Sequence, residues 1–223
     1  MRKLISIAII TVIFSACAQK KGTFIKHQFN FETVNEQADS IVYFMEKLLK
    51  TNDPQWEQKF FFAFPNSFLE MENIFGYDDK KGEAPLYSIE RHSGKYLEKR
   101  IFSNFIGYFG EIKNIPSSLF IEKFIKINIK GKWQADNIQA GFGISYIILE
   151  KTEEFCRIAS KFKPSEMKSV FTFIFDGPHP KNEYNEKLYK KLKNVIEKYD
   201  KELSLIFEKS YVELISSEKN HQH

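Results

Sequence analysis

From Leu188 to Leu214 one pattern repeats. Leu188, Leu192, Val195, Tyr199, Leu203, Ile206, Ser210 and Leu214 step by three and four, with Lys and Glu elsewhere. That spacing collects them on one face of a 3.6-residue helix and leaves the charges to solvent. A strand, with its period of two, would scatter them over both faces. A stripe of this length needs other apolar elements to cover it, so the pattern predicts a helical domain.

The rest of the chain reads the same way. Phe31, Val34, Ala38, Ile41, Met45 and Leu48 mark a first helix, and Asp53-Pro54 fits an N-cap with proline at the first helical position, opening a helix through Trp56 toward Phe62. Ser67 and Glu70 have capping-box spacing, Gly76 can stop that short helix, and 78–83 is a charged loop. Leu86, Ile89, Ser93, Leu97, Ile101, Phe105 and Tyr108 mark another helix, weakened by Gly94 and Gly107. Pro116 opens a segment whose tail alternates (Ile125, Ile127, Ile129) before Gly131 breaks it, and from Trp133 to Ile158 the spacing predicts one long helix. Pro164 opens the next segment, where Val170-Phe-Thr-Phe-Ile-Phe175 is rich in strand formers. The expected fold is therefore all-α, mainly helical: a single compact multi-helix domain of seven or eight helices over 31–215, then a polar tail at 216–223. Segments 124–129 and 169–175 stay open to helix or strand, which leaves room for one short β-hairpin. The 23 phenylalanines, densest in Phe60-Phe61-Phe62-Ala63-Phe64, can fill a sizeable core.

The amino terminus follows a different logic. Arg2 and Lys3 precede an almost wholly apolar run, Leu4 to Phe14, and small residues Ser15 and Ala16 lead into Cys17. This is the layout of a secretory signal, with an apolar core too short to span a bilayer comfortably. Phe14-Ser15-Ala16-Cys17 resembles the lipobox of bacterial lipoproteins, although that family usually has Leu, Val or Ile where Phe14 stands. The resemblance implies that 1–16 are removed, that the Cys17 thiol carries a diacylglyceryl group and that its new amino group is often acylated. Residues 17–30 would then be a lipidated cysteine and a flexible tether, with the domain lipid-anchored at a cell or outer membrane and facing the periplasm. Cys156 would have no disulfide partner and reads as a buried thiol acting as a small apolar group.

The net charge is +4, of which Arg2 and Lys3 contribute two, so no field argues for nucleic acid. There is no glycine-rich phosphate loop, no Gly-x-Ser-x-Gly elbow and no His-Glu-x-x-His motif. No cofactor is expected, no metal ligand set is assigned and no catalytic set is legible. His221 and His223 fall in the tail, His27 in the tether, and His92 on the apolar side of its helix. Two stretches are less generic. Gly131-Lys-Trp-Gln-Ala-Asp-Asn137 sets Trp133 and Asp136 three apart, and Phe175-Asp-Gly-Pro-His-Pro180 packs Asp176 and His179 into a proline-stiffened turn. Asp176 and His179 would serve as metal ligands or an acid–base pair. Mechanically, Asp136 would cap amides while Trp133 packs, and Asp176-Gly177 would simply turn the chain.

Phe64-Pro-Asn-Ser-Phe68, the 131–136 stretch and Asp176-Gly-Pro-His-Pro180 look similar to an uncharacterised group of helical proteins, often lipoproteins, from Bacteroides-group bacteria. The resemblance spans roughly residues 60–200 and brings no established activity. Some members resemble immunity proteins of interbacterial toxin systems, which implies a protective binding role. Two expectations follow: an envelope lipoprotein that binds a protein partner, or a metal-assisted hydrolase using Asp176 and His179. A structural envelope component is the third.

Overall fold

In the computed structural model, which describes residues 24–88, 105–133, 138 and 143–218, the fold is mainly helical. The second and third helices begin where the sequence places their caps, and the first begins at a cap the spacing does not mark. α1 (Val34–Thr51) starts at Thr33, whose hydroxyl accepts the Glu36 N–H, and ends at Asn52, in the left-handed region at φ 57°. The Asp53 carboxylate accepts the Gln55 N–H to open α2 (Pro54–Ala63), with its proline in the first turn. α3 (Phe68–Phe75) is capped by Ser67, which accepts the Glu70 N–H, while the Glu70 carboxylate reaches back to the Asn66 N–H at 2.9 Å.

The charged loop holds the only sheet among the described residues, a hairpin of β1 (Tyr77–Asp78) and β2 (Gly82–Glu83) paired Tyr77 to Glu83. Its turn is tied by the Asp78 carboxylate, which accepts the N–H groups of Lys80 and Lys81, and Gly82 takes the positive φ of 83° that the turn demands. Of the helix expected over 86–108, residues 89–104 lie outside the described residues, and α4 (Phe105–Gly110) closes the stretch.

Both ambiguous segments are helical. α5 (Ser117–Asn128) contains Ile125 and Ile127, and α8 (Pro164–Phe175) contains the whole Val170–Phe175 run. Their strand-like look comes from burial on more than one side, since α5 packs against α3, α6, α7 and α8. Surrounded in this way, a helix keeps its own hydrogen bonds and fills most positions with apolar groups, whatever their β propensity.

Of the long helix expected from Trp133 to Ile158, 134–137 and 139–142 lie outside the described residues, and the rest is two helices, α6 (Ile144–Glu150) and α7 (Thr152–Ala159), broken at Lys151 (φ −134°, ψ 42°). Gly143, at φ 79°, precedes α6. The clearest stripe is also split, into α9 (Glu183–Glu197) and α10 (Lys201–Glu218). Asp200 makes the break, its carboxylate accepting the Leu203 N–H at 2.9 Å while its carbonyl accepts the Ser204 N–H. Tyr189 stacks on Tyr211 at 4.2 Å and on Phe207 at 5.7 Å, so α10 folds back along α9 and lies mainly on α8. These breaks give ten helices among the described residues, against the seven or eight expected.

Aromatic rings organise the interior. Phe109 of α4 stacks on Phe64 at 4.2 Å and touches Phe61, Phe120 and Phe124, which joins α2, α4 and α5. A second cluster sets Phe207 against Phe171 and Phe175 between α8 and α10. A third ring series is peripheral. Residues 24–33, mostly given to the tether by sequence, run without helix along α1 and α2. There Phe24 and His27 meet Phe62, Phe29 meets Phe44, and Phe44 meets Trp56, all within 6.1 Å. The Ile25 N–H also donates to the Gln58 side chain at 3.0 Å.

Phe109→Ala should cost about 3–5 kcal/mol of stability, because a ring contacting four others cannot be replaced by collapse of one neighbour. Asp200→Ala should cost about 1 kcal/mol through loss of the cap. Urea unfolding at constant pH measures both.

Candidate functional site

α5 ends in a tight turn that delivers the first of the two unusual stretches. Lys130, not a glycine, carries the positive φ (61°), and its N–H donates to the Ser169 hydroxyl at 3.0 Å. Gly131 is required for another reason: an added Cβ would fall inside the ring of Phe173 on α8. The bare backbone at 131 thus lies against α8 and aims the chain at that helix's carboxyl end. Lys132 is held to Glu72 of α3 at 3.3 Å, and Trp133 follows.

The second stretch meets it there. Asp176 ends α8, and its Oδ2 accepts the Trp133 N–H at 2.6 Å. The loop beyond is fastened from the amino end of α9. The Asn182 amide donates to the His179 carbonyl at 2.7 Å while its carbonyl oxygen caps the helix by accepting the Asn185 N–H. The Asn185 amide donates to the carbonyls of Pro180 (2.8 Å) and Phe175 (3.4 Å). A cavity of about 290 Å³ lies among Trp133, Asp176, Gly177, His179 and Asn185. Trp133 and Asp176 are half-buried, Pro178 and His179 are exposed, and Pro180 is buried.

Three of the four motif residues expected from sequence, Trp133, Asp176 and His179, therefore come together around one cavity. Asp136 lies outside the described residues, as do Cys17 and His92. The Asp176 carboxylate spends one oxygen on a backbone amide, and the arrangement is a junction first: it locks the turn after α5 to the end of α8. Among the described residues no three His, Cys, Asp or Glu side chains group as metal ligands would. Cys156 is buried and free, and burial followed by the nearby Asp200 pushes its thiol up to about 11, which suits a packing role.

Two buried charged side chains carry no signal in the sequence. Glu57, 4% exposed, accepts from the Tyr108 hydroxyl (2.7 Å), the Asn114 N–H (2.8 Å) and the Asn114 amide (2.5 Å), which fastens the α4–α5 loop to α2. Lys123 of α5 is buried, and its Nζ donates to the carbonyls of Phe61 (2.5 Å) and Phe64 (2.6 Å) at the carboxyl end of α2. The ammonium also lies 4.8 Å from the centre of the Phe61 ring. Each charge sits where a helix terminus favours it, the carboxylate in the first turn of α2 and the ammonium at its last carbonyls. Desolvation pulls Lys123 down to about 7 against the opposing attraction of Glu70.

That depression has a signed consequence. Between pH 7 and the ordinary lysine value of 10.5 the unfolded chain holds the extra proton, so stability rises with pH across that window. The raised Cys156 thiol acts in the opposite sense, but only above its ordinary value of 9.0. Lys123→Met should therefore flatten the rise in urea-unfolding stability between about pH 7 and pH 9. At the junction, Asp176→Ala should cost about 1–3 kcal/mol by orphaning the Trp133 amide. His179→Ala, on an exposed side chain, should stay within about 0.5 kcal/mol of the parent. What the cavity does has to be argued from this geometry, because the chain matches no family model, no curated protein and no solved structure.

Proposed function

We propose that this protein is a membrane-anchored envelope lipoprotein, held through Cys17, whose helical domain binds a protein partner through the loop after α8. The observation that supports this most is the way that loop is held. Its backbone is fixed by the Asp176 carboxylate and by the amides of Asn182 and Asn185, while Pro178 and His179 stand exposed beside half-buried Trp133. A loop ordered before binding loses little entropy when a partner arrives, and indole, imidazole and proline surfaces suit a protein interface. Among the described residues no helix is long and apolar enough to cross a membrane. An incoming toxin is the partner class suggested by the immunity-like resemblance.

The second reading, a metal-assisted hydrolase, draws on the meeting of Asp176 and His179 around one cavity. Affinity capture from envelope and secreted fractions separates the two. Under the binding reading one protein co-elutes stoichiometrically, and Trp133→Ala or His179→Ala releases it without lowering helix content. The hydrolase reading expects a stoichiometric divalent ion that is lost in His179→Ala, with no retained partner.

A further inference from the structure

The ring series along α1 and α2 is not explained by packing alone. Its outer members are open to solvent: Phe24 is 37% exposed, Ile25 43% and Tyr43 49%. Trp56 is half-buried, meeting Tyr43 edge-on at 5.9 Å. Two lysines lie over these rings, Lys59 at 4.2 Å from Trp56 and Lys47 at 5.3 Å from Tyr43. A lysine over a ring keeps its stem on apolar surface and presents its ammonium outward. Indole and phenol rings with adjoining lysines are the side chains that settle at a bilayer's headgroup level, rings against the upper acyl region and ammonium groups among phosphates.

The covalent chain brings this face to such a surface. Only seven residue steps separate Cys17 from Phe24, and a chain spans at most about 3.6 Å per residue. Whatever path those residues follow, Phe24 lies within about 25 Å of a lipid attached at Cys17. The aromatic strip begins at Phe24 and therefore starts within that reach of the anchor. We infer that Tyr43, Trp56, Lys47 and Lys59, with Phe24 and Ile25, form a docking face for the phospholipid headgroup layer and lay the α1–α2 side of the domain flat on the bilayer. This rests on the anchor at Cys17 proposed above. Acyl chains alone tether the domain in any orientation. The strip fixes one, and it makes Trp56 a membrane-contacting residue.

The chain's two tryptophans make the test direct. The lipidated full-length protein is purified from membranes and reconstituted into vesicles of three parts phosphatidylethanolamine to one part phosphatidylglycerol, with the lipids brominated near the top of the acyl chains. In Trp133→Phe the remaining Trp56 should lose most of its emission to the bromines. In Trp56→Phe the remaining Trp133 should keep its emission. The unsubstituted protein, carrying one indole on the bilayer and one off it, should fall between the two and checks both variants. Reversing two charges with Lys47→Glu and Lys59→Glu should relieve the quenching of Trp56 while the protein stays with the vesicles. An unquenched Trp56 in a membrane-bound protein overturns the docking face and gives this surface to a protein partner, and so does equal quenching of both indoles. Mass analysis of the amino-terminal peptide reads the anchor separately. An unmodified Cys17 sinks the anchor and the face together, whereas an acylated Cys17 beside an unquenched Trp56 sinks only the face.

Discussion

The Lys123 side chain, whose Nζ donates to the last carbonyls of α2, is the contact that ties the middle of this protein together. α5 packs on four other helices, and Lys123 lies on its buried side, away from the exposed Glu122–Lys126 pair. A charge placed there must find partners or be lost. The carboxyl end of α2 has the complementary need, since its terminal carbonyls have no partner within their own helix. One side chain answers both demands and sets how far α2 can slide along α5. Glu57 does the converse near the opposite end of α2, holding the approach to α5 by its backbone amides. α2 is thus held near both ends, and Phe61, Phe64 and Phe109 pack together beside it.

The junction of Trp133 and Asp176 is a product of that central placement. Because α5 also packs on α8, the chain leaving α5 must pass close to α8, and Gly131 against the Phe173 ring is how it passes. The loop that carries Pro178 and His179 then inherits a rigid base from two helices whose own positions are set by the core. A surface feature here owes its order to interior packing.

How much of this could be read from the chain depends on how local each cause is. Caps are local, so Asp53 and Ser67 marked their helices correctly, and the mainly helical fold followed from spacing alone. The Asp200 break was hidden because the three-and-four stepping continues through the turn. Tyr199 sits in step with the stripe yet is 56% exposed, a residue of the turn and not of the buried face. Ile125–Ile129 and Val170–Phe175 looked like strands because helices buried on several sides lose the polar face that identifies them. At the candidate site, Trp133, Asp176 and His179 stood out individually, but the bond between residues 43 positions apart did not. Glu57 and Lys123 were illegible for the same reason, their partners being supplied by distant backbone.

Cys156 has a practical consequence for anyone who wants to watch this molecule. A thiol that is 3% exposed and held near pKa 11 offers almost no thiolate to an alkylating dye at neutral pH. If Cys17 carries the proposed lipid, the folded chain is chemically silent toward maleimides. A single cysteine introduced at a surface position such as Leu205 or Tyr184 could then carry a probe on the native background, with no need to disturb the interior first.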